Sequence, residues 1–387
     1  MMARSNKPGN AVKNILTAIV LATLALASAA WPQRAVAATP VGESSSSGGA
    51  DARLQNIYRA EWAWRTGQAG ISTSGEPQPN QGRLDDIDAA SQQQRLDYWS
   101  KVLGQLDQID VARLSATNKV NYAIYREQIG NFVADQKFGN WQMPFNSDSA
   151  FWSDIGYELG GDRLRSVADY DRYLDRLGQI PAYFDQQIAN MRLGLQRGFS
   201  VPRAVLTGRD ASIAAVAELK DPTASSFYTP FASLPSSIPA DKAQALQGEA
   251  LRRIRDDVIP AYAKLLVFFR DDYVPRARTS LAAEALPDGK AFYRQQIHEY
   301  TTLDLSPDAI HQIGLDQVAK IHAQMLQVMT DSGFKGSFAE FLKFLRADPQ
   351  FYAKTPEELL MRSAWVAKQV DGQMARYFGH LPRQRFT

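Results

Sequence analysis

Cysteine is absent from this 387-residue chain. That removes disulfides, thiolate zinc sites and a cysteine nucleophile from consideration. It also removes a lipid-modified N-terminal cysteine, so export would release a soluble protein. Histidine is scarce, with four in all, and the formal charge is only +2. Nothing resembles the concentrated positive charge that nucleic-acid binding needs. No segment alternates with period two, which argues against sheets. No G-x-S-x-G elbow, P-loop or G-x-G-x-x-G occurs either.

The longest apolar run, Ile15 to Ala30, is short for a membrane span of roughly 20 residues. Arg4, Lys7 and Lys13 precede it and Ala35-Val36-Ala37 follows. Basic region, apolar run and A-x-A site are the layout of a secretory signal peptide, here residues 1–37. Its removal would also take Arg34 and leave the mature chain near neutral. Residues 38–50, with Ser44 to Ser47 and two glycines, read as a flexible, extended tether. Residues 51–387 remain for one large domain or two ordinary ones.

What is present is helical spacing. Leu96, Trp99, Leu103 and Leu106 repeat at three and four, as do Tyr122, Tyr125, Ile129 and Phe132. Leu174, Leu177, Pro181, Phe184, Ile188, Met191 and Leu195 form one stripe. Leu251, Ile254, Val258, Tyr262, Leu265 and Phe269 form another. Thr355-Pro356-Glu357-Glu358 and Ser306-Pro307-Asp308 are helix starts, and Gly379 with Pro382 marks an end. The expected fold is all-α, a multi-helix array. Two aromatic stretches, Phe138 to Gly161 and the proline- and serine-rich Asp221 to Lys242, are expected as ordered loops folded onto the helices.

Three of the four histidines fall between Gln296 and His322. A zincin helix needs H-E-x-x-H, so that both imidazoles share one face. His298-Glu299 is followed by Tyr300-Thr301-Thr302, and the second histidine is missing. His311 and His322 lie about three turns, roughly 16 Å, apart and cannot share one ion. The sequence therefore offers no catalytic residue and no metal ligand set. Candidates for groove or substrate contact are His298, His311 and Tyr293, with Arg276 and Arg278 as cations for a substrate carboxylate.

Four stretches carry a family resemblance. They are YLDRLGQIPAYFDQQIANMRLGLQRGFSVPR, SSFYTPFASLPSSIP, the run from Tyr273 to Ile321 beginning YVPRARTS, and DPQFYAKTPEELL. In order, they resemble the bacterial domain of unknown function 885 family. The resemblance implies an exported, largely helical protein of zinc-metallopeptidase type acting on peptides. The family's H-E-x-x-P-G-H-H segment has no counterpart here; Gly379-His380 lacks the glutamate and the histidine pair. The chain then reads as an N-terminal portion, truncated before the zinc-binding half and inactive alone. No cofactor is expected in it, zinc belonging to the C-terminal half, which would be its partner beside a peptide substrate. A portion cut from a larger fold should leave apolar surface open, first on the helix from Pro356 to Phe378. The alternative is a stand-alone periplasmic helical binding module with a closed surface.

Overall fold

The computed structural model describes residues 47–69, 83–160, 164–381 and 383. The signal-peptide segment 1–37 and tether residues 38–46 lie outside the described residues. The described residues divide into two compact units, one within residues 39–307 and one within residues 308–387. The fold is all-α: among the described residues only an isolated bridge, Phe145 to Ala150, pairs extended backbone.

The larger unit opens with three helices, α1 (Ser47–Ala69), α2 (Ala89–Asp107) and α3 (Ala116–Phe138). Helix α1 begins at Ser47, so the last four residues assigned to the tether form its first turn. Asp88 caps α2 through the Ser91 amide, and Ser115 caps α3 through Asn118. Their apolar stripes meet in a small core of Leu54, Ile57, Val102, Leu106, Tyr125 and Ile129. One charge lies inside this layer. Glu61 is 0% exposed and pairs with Arg65 at 2.9 Å, accepting also from Trp99 Nε1 and the Tyr125 hydroxyl.

The main core follows, built from α4 (Phe151–Glu158), α5 (Val167–Leu177), α6 (Ile180–Gln196), α7 (Asp210–Ala217), α8 (Thr229–Ala232) and a long broken helix. The stripe from Leu174 to Leu195 is shared by two helices, because the chain leaves α5 at Gly178-Gln179 before Pro181 enters α6. The long helix comprises α9 (Ala240–Arg253), α10 (Ile259–Val267) and α11 (Val274–Arg276), joined by wide turns at 254–258 and 268–273. In each wide turn the amide after it reaches back five residues, Ile259 to Ile254 and Val274 to Phe269. Each sits just before a proline, Pro260 or Pro275. Proline offers no amide to the carbonyl four residues back and its ring crowds that carbonyl; widening the turn absorbs both problems. Ile254, Val258, Tyr262, Leu265, Phe269 and Tyr273 stay buried along the whole length.

Both aromatic stretches belong to this core. Phe145, Phe151, Trp152 and Ile155 are buried, the last three on α4, and so are Phe227 and Phe231 on and beside α8. Trp152 donates to Ser212, and the Tyr170 and Tyr173 hydroxyls donate to the carbonyls of Pro230 and Phe227. These segments carry short helical turns and act as internal packing.

Helix α12 (Gly289–Thr301) closes the unit. Phe292 meets Phe138 and Phe199 edge-on, each at 5.6 Å. Gly289 lets α12 start against the turn at Ala283–Ala285, where backbone atoms of Ala283 and Glu284 occupy the space a Cβ would need.

The second unit contains α13 (Pro307–Asp331), α14 (Phe338–Ala347) and α15 (Pro356–Tyr377). Ser337 and Glu340 form a reciprocal capping box on α14. At α15 the Thr355 hydroxyl accepts from Glu358 N, while the Glu358 carboxylate reaches Lys354 N instead of the cap amide. Phe334, Phe341, Phe344 and Phe351 make a small ring cluster. Neither α13 nor α15 buries a residue. On α15, Leu360 is 71% exposed and Trp365 60%, and Leu359, Val366, Val370 and Tyr377 are exposed as well, as is Phe378 just beyond. On α13 the same holds for Ile313, Val318 and Ile321.

Candidate functional site

The seam between α3 and α12 carries the densest chemistry in the larger unit. Glu127, Asn131 and Asp135 recur every four residues on α3 and so share one face. Gln295, His298 and Glu299 come from α12. Gln295 donates to Asn131 at 3.0 Å. His298 Nε2 lies 2.8 Å from Glu127 Oε1, and its Nδ1 lies 2.9 Å from Asp304 Oδ1. Glu127 Oε1 is shielded from solvent and takes no well-aimed hydrogen bond. Its contact with the ring is therefore chiefly Coulombic, governed by distance rather than by the angle a hydrogen bond requires.

Asp304 arrives from the connector after α12. Thr302 closes the helix in the left-handed region (φ 57°), its amide donating to His298 O at 2.6 Å. Thr301 Oγ1 then accepts from Leu303 N. This turn carries Asp304 back to the imidazole.

Asp135 is perturbed. Burial, and then the nearby Glu299 charge, push its carboxyl up to about 6, against the opposing effect of a hydrogen bond from Asn140. An acid displaced in this way marks a functional-site candidate, although ion-pair architecture displaces acids too.

The other sequence candidates are dispersed. Arg276 donates to Asp272 at 2.7 Å, and Arg192 reaches the same carboxylate at 3.3 Å. Arg276 thus sits beside an open cleft of ≈ 560 Å³ between α6 and the long helix, lined by Ile188, Arg192, Lys264, Val267, Phe268 and Asp271 among others. Arg278 is committed to backbone, donating to the carbonyls of Ser200, Ser280 and Ala282 at 2.8, 2.6 and 2.9 Å. Tyr293 is exposed on α12 and His311 on α13. Of the five, His298 stands in the densest polar cluster, and Arg276 shares Asp272 with Arg192 of α6.

Glu127, Asp135 and Asp304 were not singled out from sequence. Their signal was available in part: acids and an amide at four-residue intervals on a helix whose stripe lies elsewhere. Asp304 had none, since its role depends on a turn that reverses the chain. Among the described residues no three His, Asp or Glu side chains converge as a metal site requires. Nor is any helix among them long and apolar enough to cross a membrane.

No curated protein matches the chain. A solved structure titled "the crystal structure of the putative lipoprotein from Colwellia psychrerythraea" superposes with a TM-score of 0.73 at 20% identity, over 88% of this chain and 61% of that one. At that identity the likeness is one of fold, and the chain spans less than two thirds of this neighbour. A family model described as "Bacterial protein of unknown function (DUF885)" matches residues 65–387. The match takes in every helix from α2 onward, and the chain belongs to that family.

Proposed function

We propose that the chain is the N-terminal helical part of an exported hydrolase of zinc-metallopeptidase type, acting on peptides and inactive by itself. The observation that carries this reading is family membership over residues 65–387 in a sequence with no H-E-x-x-P-G-H-H segment. The 61% span of the longer neighbour and the open apolar faces of α13 and α15 support it. An ordinary monomer seldom exposes a contiguous apolar patch beyond a few hundred Å². The missing C-terminal portion is the occupant we assign to those faces. Export rests on the leader pattern of residues 1–37. The neighbour's title speaks of a lipoprotein, but without a cysteine this chain has no residue for that attachment.

The residues present do not fit a catalytic zinc. His298 has no second histidine at helical spacing, and both of its ring nitrogens already face carboxylates. A catalytic site needs three protein ligands and an open position. The role we propose for this chain is to shape a groove and to support the other half.

The test is a peptidase assay on residues 38–387 with added zinc, beside the same chain extended by whatever is encoded after codon 387. The reading expects no turnover from the first and chelator-sensitive turnover from the second. Metal-dependent cleavage by the first, or a downstream frame lacking H-E-x-x-P-G-H-H, would overturn it.

A further inference from the structure

The α3–α12 seam has an unusual charge inventory. Glu127 and Asp135 come from α3, Glu299 from α12 and Asp304 from the connector, against one histidine. Among the described residues no lysine or arginine pairs with any of the four. Arg126 on α3 is engaged by Asp107. At the far end of α12, Asp288 faces Arg197. Glu284, on the turn packed against α12, makes no ion pair among the described residues. Among the described residues His298 is the cation that pairs with this cluster, and its charge depends on one proton.

His298 is flanked by carboxylates at both ring nitrogens. Both nitrogens lie within 2.9 Å of a carboxylate oxygen. In an imidazolium the Nδ1–H meets Asp304, and the positive ring faces Glu127 at short range. A neutral imidazole carries one proton, so one nitrogen would turn a lone pair toward a carboxylate. That arrangement is repulsive, and it leaves the solvent-shielded Glu127 Oε1 without an opposite charge.

We propose that His298 is a protonation-dependent latch. Its imidazolium binds the Glu127 carboxylate of α3 and the Asp304 carboxylate of the connector at once, and loss of the proton frees the connector from α12. The neighbouring Asp135 acts in the same direction. It takes up a proton as pH falls through about 6, which removes its repulsion with Glu299. Both events tighten the seam on mild acidification and loosen it on return to alkaline pH. The connector is the segment that leads into α13, so the latch governs how firmly that segment is held.

Amide hydrogen exchange on the full chain tests this directly. The reporters are the Thr302 and Leu303 amides, bonded to His298 O and Thr301 Oγ1. After correction for intrinsic exchange, their protection should be about tenfold greater near pH 5.5 than near pH 8.5, across the range where histidine changes charge. His298→Gln should abolish the difference and leave both amides fast. His298→Arg, a permanent cation, should keep protection at both pH values. Asp135→Asn should shrink the difference without removing it. Protection independent of pH, or a pH dependence that survives in His298→Gln, would overturn the latch. So would loss of the protected state on adding EDTA, which would make this a metal site. Should the variants fail to fold, ring ¹⁵N signals of wild-type His298 decide: two protonated nitrogens in the protected state support the latch, and a neutral ring there overturns it.

Discussion

At the scale of single residues, Glu61 is the most exacting position in the N-terminal layer. Its carboxylate is fully buried and serves Arg65, Trp99 and Tyr125 together. Glu61→Ala would strand all three donors, and removing one partner of a buried pair costs about 3 kcal/mol. Urea denaturation followed by tryptophan fluorescence should show that loss. Asp135 behaves in the opposite sense. Its folded-state acidity is weakened, from 3.8 to about 6, so ionisation opposes folding. The cost is absent below about pH 4, grows as pH rises through the interval, and is complete above about pH 6. Asp135→Asn should therefore match the wild type near pH 4 and exceed it at pH 7 by about 1 kcal/mol, allowing for solvent screening. Thermal melts at the two pH values check the sign. Arg276 and Arg278 look alike in sequence and differ in the structure. Arg278→Ala breaks three bonds to backbone carbonyls and should cost about 2 kcal/mol. Arg276→Ala gives up an exposed pair with Asp272 and should cost less than about 1 kcal/mol. Melting curves of the two variants, compared side by side, measure that contrast.

At the scale of elements, the proline- and serine-rich segment around α8 has the composition of a loop and the burial of a core. Phe231 is wholly buried against Tyr170 and Tyr173. Phe231→Ala should cost about 3–5 kcal/mol, as for other buried aromatics; a surface loop would yield almost nothing. Chemical denaturation distinguishes the two. Helix content was plain in the sequence because period-3.6 stripes and N-caps are local signals. Thr355 caps α15 through the Glu358 amide, where the local pattern puts it. The break at Gly178 and the wide turns before Pro260 and Pro275 were less legible. There the stripe continues across the irregularity, and only backbone hydrogen bonding reveals it. The seam was legible by half. His298-Glu299 draws the eye as a residue pair, whereas Glu127 and Asp304 join it through a helix packing and a reversed turn that no local pattern encodes.

At the scale of the whole molecule, the two units differ in how they use apolar residues. The larger unit encloses its stripes around Phe184, Phe231, Tyr262 and Phe269. Helix α15 displays its own, with Leu359, Leu360, Trp365, Val366 and Val370 exposed and Phe378 exposed just beyond it. The N-cap of α15 holds a helix whose apolar side is open, and we propose that the C-terminal portion of the same protein covers it. Light scattering on residues 38–387 over a range of concentrations tests this most directly, beside the same chain with Val370→Gln and Phe378→Gln. The account predicts that the unmodified chain self-associates as concentration rises and that the double variant does so far less. A chain that stays monomeric at high concentration, with the double variant indistinguishable from it, would contradict the claim.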